Sequence, residues 1–464
     1  MLPFVMKELT RLERPIQNSL MRRVLLIAYH FPPSAAVGAL RPAKFAKYLP
    51  QLGWNPYVLT AAPRRPKLNC REDSSSQVVR VRELPHPLKV AADIKRQRAK
   101  RRGQEGDLMA EWTMQFAEDK AASNRSHISP KRLLLSLLRI PDEDTGWIVP
   151  AILRGTRLIR RNDIRALWTT GPPFSCHLVG LVLKYLHGVR WIADFRDPWS
   201  LEYKSWICRN RVVDALEAWL IRAVMTEADV IVSVTTRMTE RVIKEHPYLD
   251  PARCVTITNG FDREEIKRHF SVPAVRGPTV ISYLGTFYSG RTPMPFLQAL
   301  RSLLDQGKLK AEALRVRFIG NVEFAEGQRV IDMVQRMCLE GIVSVEPPIG
   351  RDDAVRLTCQ SHVILVLDEH HPTLIPFKLY DALPTCAVIL NIGSKGAVAE
   401  VLERTGRGIG VSHRDPGEIE KGILECIRRS REDNGRFEPW TEGQVLKYDF
   451  EGLTHTLVGA LESQ

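Results

Sequence analysis

Two doubly wound α/β domains facing a cleft are predicted by three features of this 464-residue sequence. From Met21 onward, short apolar runs alternate with amphipathic stretches, the pattern of βα units around a parallel sheet. A stretch carrying two prolines and a glycine, Phe270–Pro278, reads as a linker. Beyond it a second alternating series of similar size begins. No short-period repeat interrupts either half.

The elements follow in order. Residues 1–20 form an N-terminal extension, and Arg23–Tyr29 (RVLLIAY) reads as a buried strand. Gly38–Leu52 reads as a helix with Leu40, Phe45, Leu49 and Leu52 on one face. Pro56–Thr60 and Gln77–Val81 are the next strands. Residues 63–129 are basic and poor in strand-formers, predicting a mobile insertion that is partly helical over Pro87–Lys120. Helices are expected at Lys131–Leu138, Trp147–Arg161, Cys176–Leu186, Arg211–Ala228 and Arg237–Glu245. Between them lie strands at Ile164–Trp168, Arg190–Ala193, Val230–Val234 and Val255–Ile257, which closes a first domain over 21–270. The second domain, 279–440, has strands at Thr279–Leu284, Arg315–Ile319, Val343–Val345, Val363–Leu367 and Ala387–Leu390. Residues 441–464 complete the chain, with a helix expected at Tyr448–Leu461.

Composition excludes several classes. With 44% hydrophobic and 26% charged residues, the chain is neither disordered nor collagen-like. Eight cysteines without a C-x-x-C pair or zinc spacing indicate reduced thiols in a cytoplasmic setting. Lys7, Glu8, Arg11, Glu13 and Arg14 precede no apolar h-region, so an export signal is not expected. The longest uncharged run, Ala166–Leu183, is broken by Gly171-Pro172-Pro173 and reads as strand, turn and helix. The net charge is +14, and Lys89–Arg102 holds seven basic residues and one acid. Such a surface attracts nucleic acid, anionic lipid or phosphorylated small molecules.

Ligands of open parallel sheets bind outside the carboxyl ends of the strands, so the loops there carry the candidates. The segment Tyr29-His30-Phe31-Pro32-Pro33-Ser34-Ala35-Ala36-Val37-Gly38-Ala39-Leu40-Arg41-Pro42 joins the first strand to the first helix. Its small residues and free helix-start N–H groups suit an anion, and a tight βα connection is the plainer alternative. This loop and the following Lys44–Leu49 and Gly53-Trp54 resemble the start of family 4 glycosyltransferases of the GT-B fold. The resemblance continues through Pro141-Asp142 with Trp147, Thr170–Ser175 with His177-Leu178, Trp191–Trp199 and Asn259–Asp262. In the second half it rests on Tyr283–Thr286 with Arg291, and on Ile375–Asp381. It spans nearly everything from Arg23 onward except the 63–129 insertion.

The resemblance implies a retaining, metal-independent transfer of a sugar from a nucleotide-diphosphate sugar to a glycan or lipid-linked acceptor, in cell-surface polysaccharide assembly. It places the donor in the C-terminal domain and the acceptor in the N-terminal domain, with the last helix crossing back to the latter. By position, Arg291 and Lys378 match cations that neutralise the departing diphosphate, as fixed charges in a dry site can do. Asp381 falls where the family has a ribose-binding glutamate. Gly38, Gly285 and Thr373 join the donor-binding set; Gly38 and its loop would close on the phosphate–sugar junction. His177, Asp194 and Asp197 are the catalytic candidates and would line the acceptor side. The chain departs from the pattern at Ala35-Ala36, where many relatives have Gly-Gly, and at Phe377, a common glycine. Thr373 stands where a glutamate is usual, and Ala382–Cys386 is also divergent.

Each candidate has a plainer alternative. For Arg291 the plainer and less favoured reading is a solvated loop cation; Lys378 with Asp381 reads equally as a helix-start pair, and Asp194, Arg196 and Asp197 as a salt-bridged loop. Asp142-Glu143-Asp144 has D-x-D spacing but reads as capping, and His370-His371 lacks a third metal ligand, so no metal is expected. The basic run over 89–102 fits an anionic membrane surface or a solvated helix face. No aromatic residue interleaves it, which argues against nucleic acid. These features predict a cytoplasmic protein, peripheral on the inner face of the cell membrane. A non-catalytic GT-B protein and a GT-B nucleotide-sugar epimerase are the rival readings.

Overall fold

The computed structural model describes residues 21–63, 77–87, 136–137, 139–199, 211–270, 277–287, 291–368, 372–432 and 443–463. The 1–20 extension, the basic run 89–102 with most of the insertion, and most of Lys131–Leu138 lie outside the described residues. So do the middle of the Phe270–Pro278 linker and His370-His371. The chain divides into two compact units. The first comprises Met1–Val234, Thr239–Ile257 and Thr454–Gln464; the second comprises Thr235–Met238 and Thr258–Leu453.

The first unit is built on seven strands: β1 (Arg22–Ala28), β2 (Trp54–Ala61), β3 (Gln77–Val81), β4 (Ala166–Gly171), β5 (Arg190–Phe195), β6 (Val230–Ser233) and β7 (Cys254–Thr256). They are all parallel in the order β3-β2-β1-β4-β5-β6-β7. Its helices are α1 (Leu40–Tyr48), α2 (Ile148–Asn162), α3 (Ser175–His187), α4 (Arg211–Glu227) and α5 (Thr236–Glu245). The unbroken apolar run of β1 has its physical reason here. A central parallel strand is covered on both faces, and Val24, Leu25, Leu26 and Ile27 are wholly buried.

The second unit holds β8 (Thr279–Thr286), β9 (Leu314–Asn321), the hairpin β10 (Phe324–Ala325) and β11 (Gln328–Arg329), β12 (Val343–Glu346), β13 (Val363–Asp368), β14 (Val388–Gly393) and β15 (Gly408–Ser412). Its main sheet runs β12-β9-β8-β13-β14-β15, again parallel. The associated helices are α6 (Arg263–His269), α7 (Met294–Asp305), α8 (Val330–Arg336), α9 (Arg351–Gln360), α10 (Phe377–Ala382), α11 (Ala397–Thr405), α12 (Pro416–Glu432) and α13 (Gly443–Leu446). Side-chain alternation divides the sheet's neighbours into two cores. Leu365, Leu367, Leu390 and Ile392 pack with α7 residues Phe296 and Leu300, while Ile364, Val366 and Ile389 pack with α10 residues Leu379 and Tyr380.

The last helix, α14 (Phe450–Glu462), starts in the second unit and finishes in the first, as expected. Within the first unit Glu462 pairs with Arg22 and accepts a bond from Trp54 Nε1 at 3.4 Å. Arg190 Nε donates to the Ala460 carbonyl at 3.1 Å. Among the described residues no helix is long and apolar enough to cross a membrane.

Both sheets reverse direction beside their first strand, between β1 and β4 and between β8 and β13. That reversal is where a crevice opens in doubly wound sheets. The two reversals differ in how far they are zipped. In the first unit five residue pairs join the strands, from Val24↔Ala166 to Ala28↔Thr170. In the second only Val363↔Ile281 and Ile364↔Ser282 pair, although β8 continues to Thr286 and β13 to Asp368.

Candidate functional sites at the two sheet reversals

In the first unit the loops after β1, β4 and β5 bring together Gly38, the Gly171–Ser175 turn, Arg196 and Asp197. Ala36 has φ −64° and ψ 135°, and neither Ala35 nor Ala36 adopts positive φ. The alanines replacing the Gly-Gly of the resembled family are therefore unstrained. Gly38 is needed for space. A Cβ there would lie 2.3 Å from Arg196 Nη1, so the guanidinium occupies the room a side chain would fill. Arg196 donates to the carbonyls of Gly171, at 3.3 Å from Nε, and Pro172. Burial lowers its pKa, opposed by the charges of Asp197 and Asp194.

Asp194 is corrected in its placement. It lies inside β5 rather than beyond it, wholly buried, with both oxygens engaged. Arg41 binds it through Nη2 at 2.6 Å and Nε at 3.0 Å, and Thr170 Oγ1 donates at 2.7 Å. The same Arg41 donates to the Ile257 carbonyl at 2.8 Å, linking α1, β4, β5 and the end of β7. An ion pair this deep in the sheet is a structural clamp, and no ligand atom can reach the carboxylate without displacing Arg41. Asp197 is half-buried just past β5.

His177 is also wholly buried, one turn into α3. Trp191 Nε1 donates to Thr169 Oγ1 at 2.9 Å, and the same hydroxyl is hydrogen-bonded to His177 Nδ1, 2.8 Å away. The other ring nitrogen, Nε2, has no partner and lies 2.8 Å from where a Gly171 Cβ would be. Burial, helped by the charge of Arg196, pushes the imidazole pKa down to about 3, so the ring is neutral. Phe174 and Trp199 stack beside it, 4.8 Å apart and 7° from parallel. Asp142 does cap a helix, but a remote one: Oδ2 accepts the Ser175 N–H at 2.8 Å, and Oδ1 the Ser175 hydroxyl at 2.5 Å, at the start of α3.

The second unit's site forms where β8 and β13 separate. Gly285, near the end of β8, has φ +147°, a left-handed conformation that favours glycine. A methyl there would stand 3.3 Å from Lys378 Nζ. Lys378 is the second residue of α10; the residue is half-buried, but its Nζ is sealed and has no hydrogen bond. The ammonium nitrogen lies 3.2 Å from the centroid of the Tyr283 ring, a cation–π contact. Arg291, in the loop after β8, acts electrostatically on Lys378 and on Asp368.

Asp368 is the residue missed in the sequence. It ends β13, is 3% exposed, and its Oδ1 has no hydrogen-bond partner. Burial pushes its carboxyl up to about 7 against the opposing pull of Arg291 and Lys378. Burial and the like charge of Arg291 push Lys378 well below its usual value. Thr373 Oγ1 is likewise buried without a partner, while the Thr373 carbonyl accepts from Thr235 Oγ1 at 2.5 Å.

Asp381 does not join this group, and its carboxylate, expected to accept from a ribose, is paired within the protein. Its two oxygens bind Arg351 at 2.5 and 2.6 Å, and Arg351 is held from its other side by Glu265 at 3.2 Å. Three residues along α10 from Lys378, Asp381 is thus spent on joining α10, α9 and α6. The arrangement at β8 and β13 has two cations able to hold an anion and an acid able to accept from a donor. Among the described residues no three His, Cys, Asp or Glu side chains group as metal ligands.

No family model matches this sequence, and no curated protein sequence matches it. Solved structures do share its fold. The N-terminal domain of trehalose-6-phosphate phosphatase from Candida albicans aligns with a TM-score of 0.64 at 12% identity, covering 95% of this chain and 97% of that one. Sucrose-phosphate synthase from Thermosynechococcus elongatus aligns at 0.62 with 11% identity, covering 94% and 98%. Anabaena HepE, in a complex with UDP-glucose, aligns at 0.60 with 11% identity, covering 95% and 100%. The chain therefore has the GT-B fold, with two parallel-sheet α/β domains.

Proposed function

We propose that this protein is a glycosyltransferase that takes a sugar from a nucleotide-diphosphate sugar, with the donor held in the second unit and the acceptor in the first. The observation that carries the reading is Lys378: a buried ammonium without a hydrogen bond, beside Arg291, at the open end of a parallel sheet. A buried cation of this kind is unfavourable unless an anion completes it. A bound diphosphate supplies that anion, and the fold is one in which HepE has been seen with UDP-glucose.

In the reaction the bond from the sugar's anomeric carbon to the diphosphate oxygen breaks, and its electron pair leaves with the phosphate. The acceptor oxygen bonds to that carbon and its proton passes to the departing phosphate. Charge grows on the diphosphate, and Lys378 and Arg291 stabilise it as fixed cations, the task a metal ion performs elsewhere. Retention of configuration, a glycan or lipid-linked acceptor, a role in surface-polysaccharide assembly and attachment to the cytoplasmic face of a membrane complete the proposal. These rest on the resemblance of the Gly38 loop, the Thr170–Ser175 and Trp191–Trp199 segments and the Ile375–Asp381 motif.

The test is a thermal-shift panel of UDP, GDP, ADP and dTDP, with and without EDTA, on wild type and Lys378→Met. One nucleotide at about 100 times its dissociation constant should stabilise wild type by roughly 2.7 kcal/mol, insensitive to EDTA and lost in the variant. A shift from none of the four overturns the transferase reading in favour of a non-catalytic protein. Release of nucleotide without any acceptor favours the epimerase or a hydrolase.

A further inference from the structure

The second unit's site leaves more than one polar atom open, and the open atoms fall into two chemical halves. One half is cationic: the open Lys378 Nζ, within electrostatic reach of Arg291. The other is rich in acceptors and lies on the neighbouring strand ends: Asp368 Oδ1, Asn391 Oδ1 and Ser394 Oγ are all buried without a hydrogen-bond partner. Buried polar atoms are ordinarily satisfied, so three such atoms together need an explanation.

Strand register places them side by side. Val366 pairs with Asn391 and Asp368 with Gly393, so Asp368 and Asn391 project from the same face of adjacent strands. Gly393, between them, has no side chain, and the Asn391 amide nitrogen lies 3.3 Å from where its Cβ would be. Ser394 follows at once, its N–H donating to the Asp368 carbonyl at 3.2 Å. A Cβ on Gly393 would also lie 2.3 Å from the Asp368 carbonyl oxygen, so only a glycine lets the two strand ends come this close. Thr373 carries no charge and Asp381 is occupied by Arg351, so neither supplies a free carboxylate here.

An anion-binding half next to a half that wants several hydrogen-bond donors matches a phosphorylated polyol. We infer that Asp368, with Asn391 and Ser394, accepts hydrogen bonds from the hydroxyls of the donor's sugar, and so selects sugar-bearing nucleotides over free ones. The inference rests on the donor-site reading above and adds a recognition residue to it. A hydroxyl bound to a carboxylate is among the stronger neutral-to-charged hydrogen bonds, and a site built for such a hydroxyl discriminates sharply when it is lost.

The experiment is calorimetric titration of the full chain with UDP, GDP, UDP-glucose and GDP-mannose, comparing wild type with Asp368→Asn. The expected result is a loss of about tenfold or more for the sugar nucleotide, with the free diphosphate unchanged or bound severalfold tighter. Tighter binding follows because the variant removes a negative charge beside the diphosphate's cations. Parallel weakening of both ligands would mean that Asp368 only supports the fold, and an unchanged sugar-nucleotide affinity would mean that only water satisfies it. Either overturns the inference. Ser394→Ala and Asn391→Ser should show the same selectivity at smaller amplitude, which keeps the test decisive if Asp368→Asn folds poorly. Absence of binding by all four ligands to wild type removes the donor reading itself. Loss of UDP binding in Lys378→Met, without a selective effect at Asp368, leaves that reading standing and defeats this one.

Discussion

The two units share one strand order but treat their sheet reversals in opposite ways. In the first, β1 and β4 are zipped for five pairs, and the charges beneath the loops are spent on each other: Arg41 on Asp194, with Thr170 and the Ile257 carbonyl completing the network. In the second, β8 and β13 part after two pairs, and Lys378 and Asp368 act on each other's ionisation without a hydrogen bond. The closed reversal is a support, and the open one leaves charges that the proposed ligand would complete. Doubly wound topology alone does not decide which a sheet provides.

Breaking the closed side should have the largest effect. Arg41→Ala leaves Asp194 buried without its cation, and a loss of about 3–5 kcal/mol in denaturant unfolding of the first unit is expected. A loss below about 1 kcal/mol would mean that the clamp is dispensable. The second effect is in pH. His177 holds a folded pKa of about 3, below its unfolded value, so the unfolded chain takes up a proton that the folded chain refuses. Its contribution is present above pH 6.5 and falls by about 1.4 kcal/mol per unit as pH drops toward 3. The stability profile of His177→Phe should lack that slope.

On the open side the sign reverses. Asp368 has a raised pKa of about 7, so the folded state favours its protonated form and loses stability as pH rises from about 4 through 7. Without ligand, Asp368→Asn should therefore be more stable than wild type at pH 8, by up to about 4 kcal/mol, and equal to it near pH 4. A destabilised variant at pH 8 would place Asp368 with Asp194 as a support. The smallest effect is at Gly38. In Gly38→Ala the added methyl meets only the flexible end of Arg196, so a loss under about 1 kcal/mol is expected, alongside rearranged Arg196 contacts.

Most of the sheet framework is legible because parallel strands buried on both faces write themselves as apolar runs; the run Gln77–Val81 coincides with β3, and most others lie within two or three residues of their strands. The edge strand β15 is not, since GIGVS carries two glycines and little apolar weight. The hairpin β10–β11 escaped because each strand is two residues long. The site was harder to read, since pairing partners lie far apart in sequence. Asp381 finds Arg351 thirty positions earlier, and Asp194 finds Arg41 across 153. Neither spacing carries a local signature. Asp368 did leave a trace: an acid closing the apolar run VILVLD, at the strand end where ligands bind.

The division of the chain has a consequence for how the protein is made. Nearly all of the second unit lies within Thr258–Leu453, whereas the first takes its final piece from Thr454 onward. A ribosome therefore finishes the second unit before it delivers the segment from Thr454 onward, in which Glu462 pairs with Arg22 and accepts from Trp54. The usual order of synthesis, in which the N-terminal domain is completed first, is inverted. The first unit, whose sheet begins at Arg22, is thus completed by a segment that follows the whole second unit in the chain.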